Sequence, residues 1–349
     1  HTSSPPAPLT WLGLCKRCPA LVLGLTMGNI PGFGGAVEDP VLFHSLNSNS
    51  GGLDPSASMS PWLELPAADQ AWAHAVSSRA ELKEAFEDRA VTAIEADILM
   101  GSLASAIGAC GVGRAALTPI MAHPPSRVSD LSFGDFLEAC ISDGRRHLKL
   151  DFKELAALQA CAPLLAAQAP RLASNGQAVM LNADIVPGPG RRHRLCAVPA
   201  EEFFKVVLAH CPGIPLSLGW TVCTAACGSG YREADCQGML AVYESYENRL
   251  DVPAGGVVFA VSLRLASRCF RRLAALLRAT PRSQLLLWTG CGERSVPNGM
   301  VQRLHSEIRA EGLCERVGFD CKVASWKLQA VSNEATMCIG GVLNWLDLV

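Results

Sequence analysis

Two carboxylates sit two residues apart inside the apolar run Ala93-Ile-Glu-Ala-Asp-Ile98, and this feature constrains the fold most. Extended backbone sends alternate side chains to opposite faces, so Glu95 and Asp97 share one face and Ile94, Ala96 and Ile98 the other. A strand this apolar belongs in a parallel sheet with helices over it. Two acids buried there are costly unless a cation or hydrogen bonds satisfy them. His147-Leu-Lys-Leu-Asp-Phe-Lys153 repeats the pattern: Leu148, Leu150 and Phe152 face one way, and Lys149, Asp151 and Lys153 the other.

Eight segments read as strands: Ala71–Val76, Val91–Leu99, Thr118–His123, His147–Lys153, Ala178–Ile185, Ile214–Thr221, Gly256–Leu263 and Gln284–Thr289. Their polar ends recur every 20 to 40 residues or so, the size of a strand-plus-helix unit. Helical patterns fill the gaps. Ser78 with Glu81 forms a capping box ahead of Leu82, Ala85 and Phe86, and Ser132 with Asp135 starts another helix. Pro199 stands where a first helical residue belongs, and Arg264–Ala279 is a basic amphipathic stretch. Eight strands alternating with helices imply a parallel sheet, open or closed. With no G-x-G-x-x-G after the first strand, a (β/α)8 TIM barrel is the expected fold, in a domain spanning residues 69–323. Residues 1–68, rich in Pro, Ser, Gly and Asn, read as a flexible low-complexity leader, and 324–349 as a C-terminal tail.

Charge and composition narrow the partners. Thirty basic against 32 acidic residues give a net charge of −2, which favours neither nucleic acid nor an anionic membrane surface. No apolar run reaches the roughly 18 residues of a transmembrane span. The short run Pro19–Met27 behind Lys16 and Arg17 is consistent with a fragment of a signal peptide, which would make the domain secreted or cell-surface. The 15 cysteines match no zinc spacing. They are expected to be mainly free buried thiols, with a disulfide within 223–236 as the alternative.

Chemistry gathers at the strand ends, where barrel active sites form. Glu95, Asp97 and Asp151 offer hard oxygen donors suited to one Mg²⁺ or Ca²⁺ ion. Lys153 can neutralise the cluster or hold a substrate anion. His74 closes the first strand and His123 the third, so one imidazole can take a proton while the other gives one. Asn182 and Asp184 share a face, and Trp220 and Trp288 are candidate aromatic walls of a substrate pocket. A phosphodiester or lipid-like small molecule fits such a site, and a protein partner is the rival expectation.

The ordered segments His74-Ala-Val-Ser-Ser, Ala93-Ile-Glu-Ala-Asp-Ile-Leu, Pro119-Ile-Met-Ala-His-Pro-Pro, Lys149-Leu-Asp-Phe-Lys, Leu181-Asn-Ala-Asp-Ile, Ser217-Leu-Gly-Trp-Thr and Leu287-Trp-Thr-Gly resemble the menorin domain family over about residues 70–322. That family is similar to the phospholipase C-like phosphodiesterase barrels. The resemblance implies that His74 and His123 are catalytic, that Glu95, Asp97 and Asp151 hold Mg²⁺ or Ca²⁺, and that Lys153 is the lysine two residues past the third ligand. It matches Trp288 to an aromatic residue on the last strand. Ala75 and Pro124 stand where glycerophosphodiesterases place Arg and Asp, so the resemblance points away from glycerophosphodiesters. Some menorin-type proteins act in recognition at the cell surface, so a non-catalytic binding protein that keeps the barrel is the alternative.

Overall fold

A computed structural model describes residues 61–107, 117–190, 196–223, 228–247, 256–290 and 293–321. The leader up to residue 60, with Pro19–Met27, Cys15 and Cys18, and the tail from residue 322 lie outside the described residues, as does Cys227.

The strands are β1 (Trp72–Ala73), β2 (Ala93–Leu103), β3 (Thr118–Met121), β4 (Val128–Ser129), β5 (His147–Phe152), β6 (Val179–Pro187), β7 (Leu216–Thr221), β8 (Val257–Ser262), β9 (Gln284–Trp288) and β10 (Val317–Asp320). Eight run parallel in the order β1-β2-β5-β6-β7-β8-β9-β10 and form a nearly closed TIM-like barrel, with β10 beside β1. Helices occupy the connections, including Arg79–Glu87, Phe133–Asp143, Leu155–Ser174, Ala200–His210, Glu233–Glu247, Phe270–Ala279 and Asn298–Ala310.

Local chemistry starts these helices where the sequence indicates. Ser78 Oγ accepts from the Glu81 backbone N–H, and Ser132 Oγ from that of Asp135. Pro199 takes the N-cap position, one residue before the helix proper. The basic stretch 264–279 divides into Leu263–Ala266 and Phe270–Ala279. On the latter, Leu273, Ala274, Leu276 and Leu277 are buried against the barrel.

One expected strand needs correction, and one barrel strand was not expected. Thr118–His123 is not the third barrel strand: β3 pairs antiparallel with the upper half of β2, Ile98 opposite Met121 and Gly101 opposite Thr118. The eighth barrel position belongs instead to β10, parallel to β9 from Val317–Leu285 to Asp320–Trp288. Val317-Gly-Phe-Asp320 is only four residues long and contains a glycine, too little alternation to register as a strand.

Alternation sorts the side chains along every barrel strand. Ile94, Ala96, Leu148, Leu150, Leu181, Leu218, Val261 and Leu287 join one cluster with the surrounding helices. Each such side chain removed from water contributes about 1.5–3 kcal/mol, less for alanine. The opposite faces fill the lumen. Its lower end is apolar, with Trp72, Ala93, Met180, Val258 and Leu286 meeting Leu65 and Ala67. A Cβ on Gly318 would stand 2.7 Å from Ala67 O, so this close approach requires glycine. Packing onto the barrel therefore starts upstream of residue 69. With the lower lumen closed by apolar side chains, the polar ones collect at the C-terminal ends of the strands.

Candidate functional site

Above the apolar plug, the lumen-facing positions turn polar in adjacent strands. The register aligns Glu95 with Lys149, Asp97 with Asp151, Asp151 with Asn182, and Asn182 with Ser217. The result is a cavity of about 140 Å³ at the mouth. His74, Asp97, His123, Lys149, Asp151, Lys153, Asn182, Asp184 and Trp288 all line it. Glu95 lies beneath, 2% exposed, as part of the floor.

Two ion-pair clusters share this floor. In one, Lys153 Nζ lies 2.7 Å from Asp97 Oδ1 and 2.6 Å from Asp151 Oδ2. In the other, His74 Nδ1 lies 2.7 Å from Asp320 Oδ1 and 3.4 Å from Glu95 Oε2, while Lys149 Nζ is 3.2 Å from Asp320 Oδ2 and 4.0 Å from Glu95 Oε1. Ala75, with a φ of 58°, turns its N–H onto Glu95 Oε2 at 2.7 Å. Positive φ is uncommon for a residue with a Cβ, and here the turn serves the site.

The protonation equilibria follow from burial and neighbours. Burial, and then the Asp97 charge, push the Glu95 carboxyl up to about 7. Burial, and then Asp151, push Asp184 up to about 7. Burial disfavours the His74 imidazolium, but Asp320 and Glu95 outweigh it and raise the group to about 9. Burial also disfavours the Asp320 carboxylate, yet His74 and Lys149 hold it down at about 2. Asp151 resists its burial in the same way, kept below the ordinary range by Lys153 and Lys149.

His123 reaches the mouth by a different route from His74. It follows β3, the arm returning along β2, where the Ala122 N–H donates to Asp97 O at 2.9 Å. Its Nδ1 donates to Pro124 O at 2.6 Å, since a carbonyl can only accept. Arg127 then ties this segment to the barrel through Glu154, at 3.0 and 3.3 Å.

Trp220 is the one expected pocket residue that the structure removes from the site. It follows Gly219 on β7, so alternation points it outward. There it is buried, its ring 5.2 Å from that of Tyr231 and 6.1 Å from that of Phe259, with the indole N–H donating to Asp235 O at 3.0 Å. The lumen-facing neighbours are Ser217, which donates to Asn182 Oδ1 at 2.5 Å, and Gly219, whose missing Cβ leaves room for the Asp184 carboxylate. Asp320 and Lys149 are the additions to the expected set. Lys149 was legible as a lumen residue, whereas Asp320 was hidden in the unrecognised strand. Cys223 and Cys236 are free thiols.

Two groups of side chains offer donor atoms within 4.8 Å of one another: Glu95, Asp97 and Asp151, and His74, Glu95 and Asp320. The first supplies only oxygens, fitting a hard divalent cation. The second already encloses Lys149, 3% exposed at its side chain, whereas the Lys153 side chain over the first is 23% exposed. Among the described residues no helix is long and apolar enough to cross a membrane.

Fold and site together define a TIM-barrel-like protein with a buried acidic and histidine group at its strand ends. The Menorin N-terminal domain matches residues 67–312. Protein FAM151B from Homo sapiens is 32% identical over 223 residues, covering 64% of this chain and 73% of that protein. No solved structure matches. The chain belongs to the menorin family.

Proposed function

We propose that this menorin-family protein carries a divalent-metal-dependent phosphodiesterase-like site, cleaving a phosphodiester by hydrolysis or by transfer to a neighbouring hydroxyl of the substrate. One observation carries the reading: three carboxylates converge on one point and two histidines line the same cavity. Charge supports it. With every carboxylate ionised, Glu95, Asp97, Asp151, Asp184 and Asp320 exceed Lys149, Lys153 and the His74 imidazolium by two negative charges; without an ion, Glu95 and Asp184, both pushed up to about 7, relieve that excess by holding protons that a divalent cation would displace.

Glu95, Asp97 and Asp151 would hold Mg²⁺ or Ca²⁺, which supplies charge stabilisation for phosphate oxygens. The protein's own groups do the rest. With Nδ1 of His74 held by Asp320 and Nδ1 of His123 by Pro124 O, each ring keeps Nε2 for proton transfer. Lys153, displaced from the acids, can reach a phosphate oxygen. Asn182, Asp184 and Trp288 line the wall that would meet the rest of the substrate.

The test is turnover of bis(4-nitrophenyl) phosphate and a panel of phosphodiester lipids, with and without Mg²⁺ or Ca²⁺. Activity should require the ion and fall at least about 100-fold in His74→Ala and in His123→Ala, the usual scale for general acid–base groups. Unchanged turnover in both variants would refute the assignment.

A second reading has its own support. Lys153 already satisfies Asp97 and Asp151 at 2.7 and 2.6 Å, so the mouth can be stable as a closed salt-bridge cluster on a barrel used for recognition. A partner retained by the Asp97→Asn/His123→Ala double variant, together with no turnover, would favour it.

A further inference from the structure

Asp320 closes a chain of contacts that the metal and proton-transfer groups do not account for. Its Oδ1 lies 2.7 Å from His74 Nδ1 and its Oδ2 3.2 Å from Lys149 Nζ. Asp320 is 1% and Lys149 2% exposed, so neither exchanges this contact for water. An ammonium has only donors, which commits Oδ2 as an acceptor toward Lys149. Oδ1 is then an acceptor toward His74, and the ring satisfies it by keeping a proton on Nδ1. The other acceptor near Nδ1, Glu95 Oε2, is farther away at 3.4 Å and already takes the Ala75 N–H. Because His74 lines the cavity, Nε2 is the nitrogen presented to a substrate.

We propose that Asp320 is the positioning residue of this site: pinned by Lys149, it keeps the proton on His74 Nδ1 and aims Nε2 into the cavity. Its consequence for turnover rests on the phosphodiesterase reading; the geometry does not. Asp320 ends β10, beyond the matched Menorin N-terminal domain, which stops at residue 312. The last barrel strand therefore supplies a part of the site that the matched region lacks. The chemistry parallels carboxylate–imidazole pairs in general: the acid fixes tautomer and ring orientation without touching the substrate.

Asp320→Asn tests this at constant shape. Lys149 can only donate, so it takes the amide oxygen. The amide NH2 then faces His74, and Nδ1 must become an acceptor. In ¹⁵N spectra of the full chain, recorded where the His74 ring is neutral, Nδ1 should be proton-bearing in the parent and lose that proton in Asp320→Asn. Turnover should fall about 100-fold in kcat with KM little changed, and Asp320→Glu should recover part of it. A parent ring without a proton on Nδ1 overturns the proposal even if the variant fails to fold. So does an Asp320→Asn chain with the parent's Nδ1 resonance and turnover. A parent with no phosphodiester turnover would end the phosphodiesterase reading alone, and the Nδ1 resonance would still decide the role of Asp320.

Discussion

Lys153→Met separates the salt-bridge role of the lysine from the metal affinity of the acids beneath it. The substitution keeps an aliphatic side chain but removes the ammonium 2.7 Å from Asp97 and 2.6 Å from Asp151. Removing one partner of a buried charge pair costs roughly 3–5 kcal/mol, because the remaining charges stay desolvated. The Lys153 side chain is 23% exposed, so the lower end applies. Each kcal/mol lowers Tm by about 2–4 °C in a domain of this size, which places the metal-free variant roughly 6–12 °C below the parent. A divalent ion at 100 times its Kd stabilises the folded state by about 2.7 kcal/mol, or roughly 5–11 °C. Mg²⁺ or Ca²⁺ should therefore return most of the loss to Lys153→Met, and raise the parent less because its lysine competes for the same oxygens. Thermal melts of both chains, with EDTA and with millimolar ion, make the comparison. A variant that melts with the parent would refute the ion-pair account, and one that gains nothing from either ion would refute the metal site.

Further outcomes follow from the same geometry. Without metal, stability should decline between about pH 4 and 9: Glu95 and Asp184 titrate near 7 when folded but in the ordinary carboxylate range when unfolded, and His74 titrates near 9 rather than 6.5. In each case the folded chain holds the proton more tightly, so raising the pH favours unfolding; urea melts at pH 5, 7 and 9 that are flat or rising would contradict this. At the acid end, Asp320 contributes stability above its unfolded range that is lost as the pH falls toward 2. Trp220→Ala should cost about 3–5 kcal/mol in urea melts and leave metal affinity intact, as befits a core aromatic; Trp288→Ala, on the cavity wall, should cost far less stability and act on substrate KM. Gly219→Ala should cost about 1–3 kcal/mol by driving a methyl group into the Asp184 carboxylate, and an unchanged Tm would show that this wall yields freely.

How much of the molecule its sequence determines depends on the range of the interaction. Period-two alternation is local, so Glu95 with Asp97, Lys149 with Asp151 and Lys153, and Asn182 with Asp184 each had their shared face before any strand was paired. Capping at Ser78 and Ser132 is local too. Alternation also contained the correct place of Trp220, opposite to Gly219, although the residue type suggested a pocket wall. Strand pairing is not local. That β3 runs back along β2, that Val317–Asp320 fills the eighth barrel position, and that Asp320 thereby meets His74 across 246 residues of chain depend on closing the sheet. Four residues with one glycine carry too little periodicity to announce a strand. The edge between β9 and β1 gives them their place. The acids and histidines were written in the sequence; which carboxylate holds which ring, and which lysine is enclosed while the other stays partly exposed, was decided only when eight strand ends were brought around one cavity.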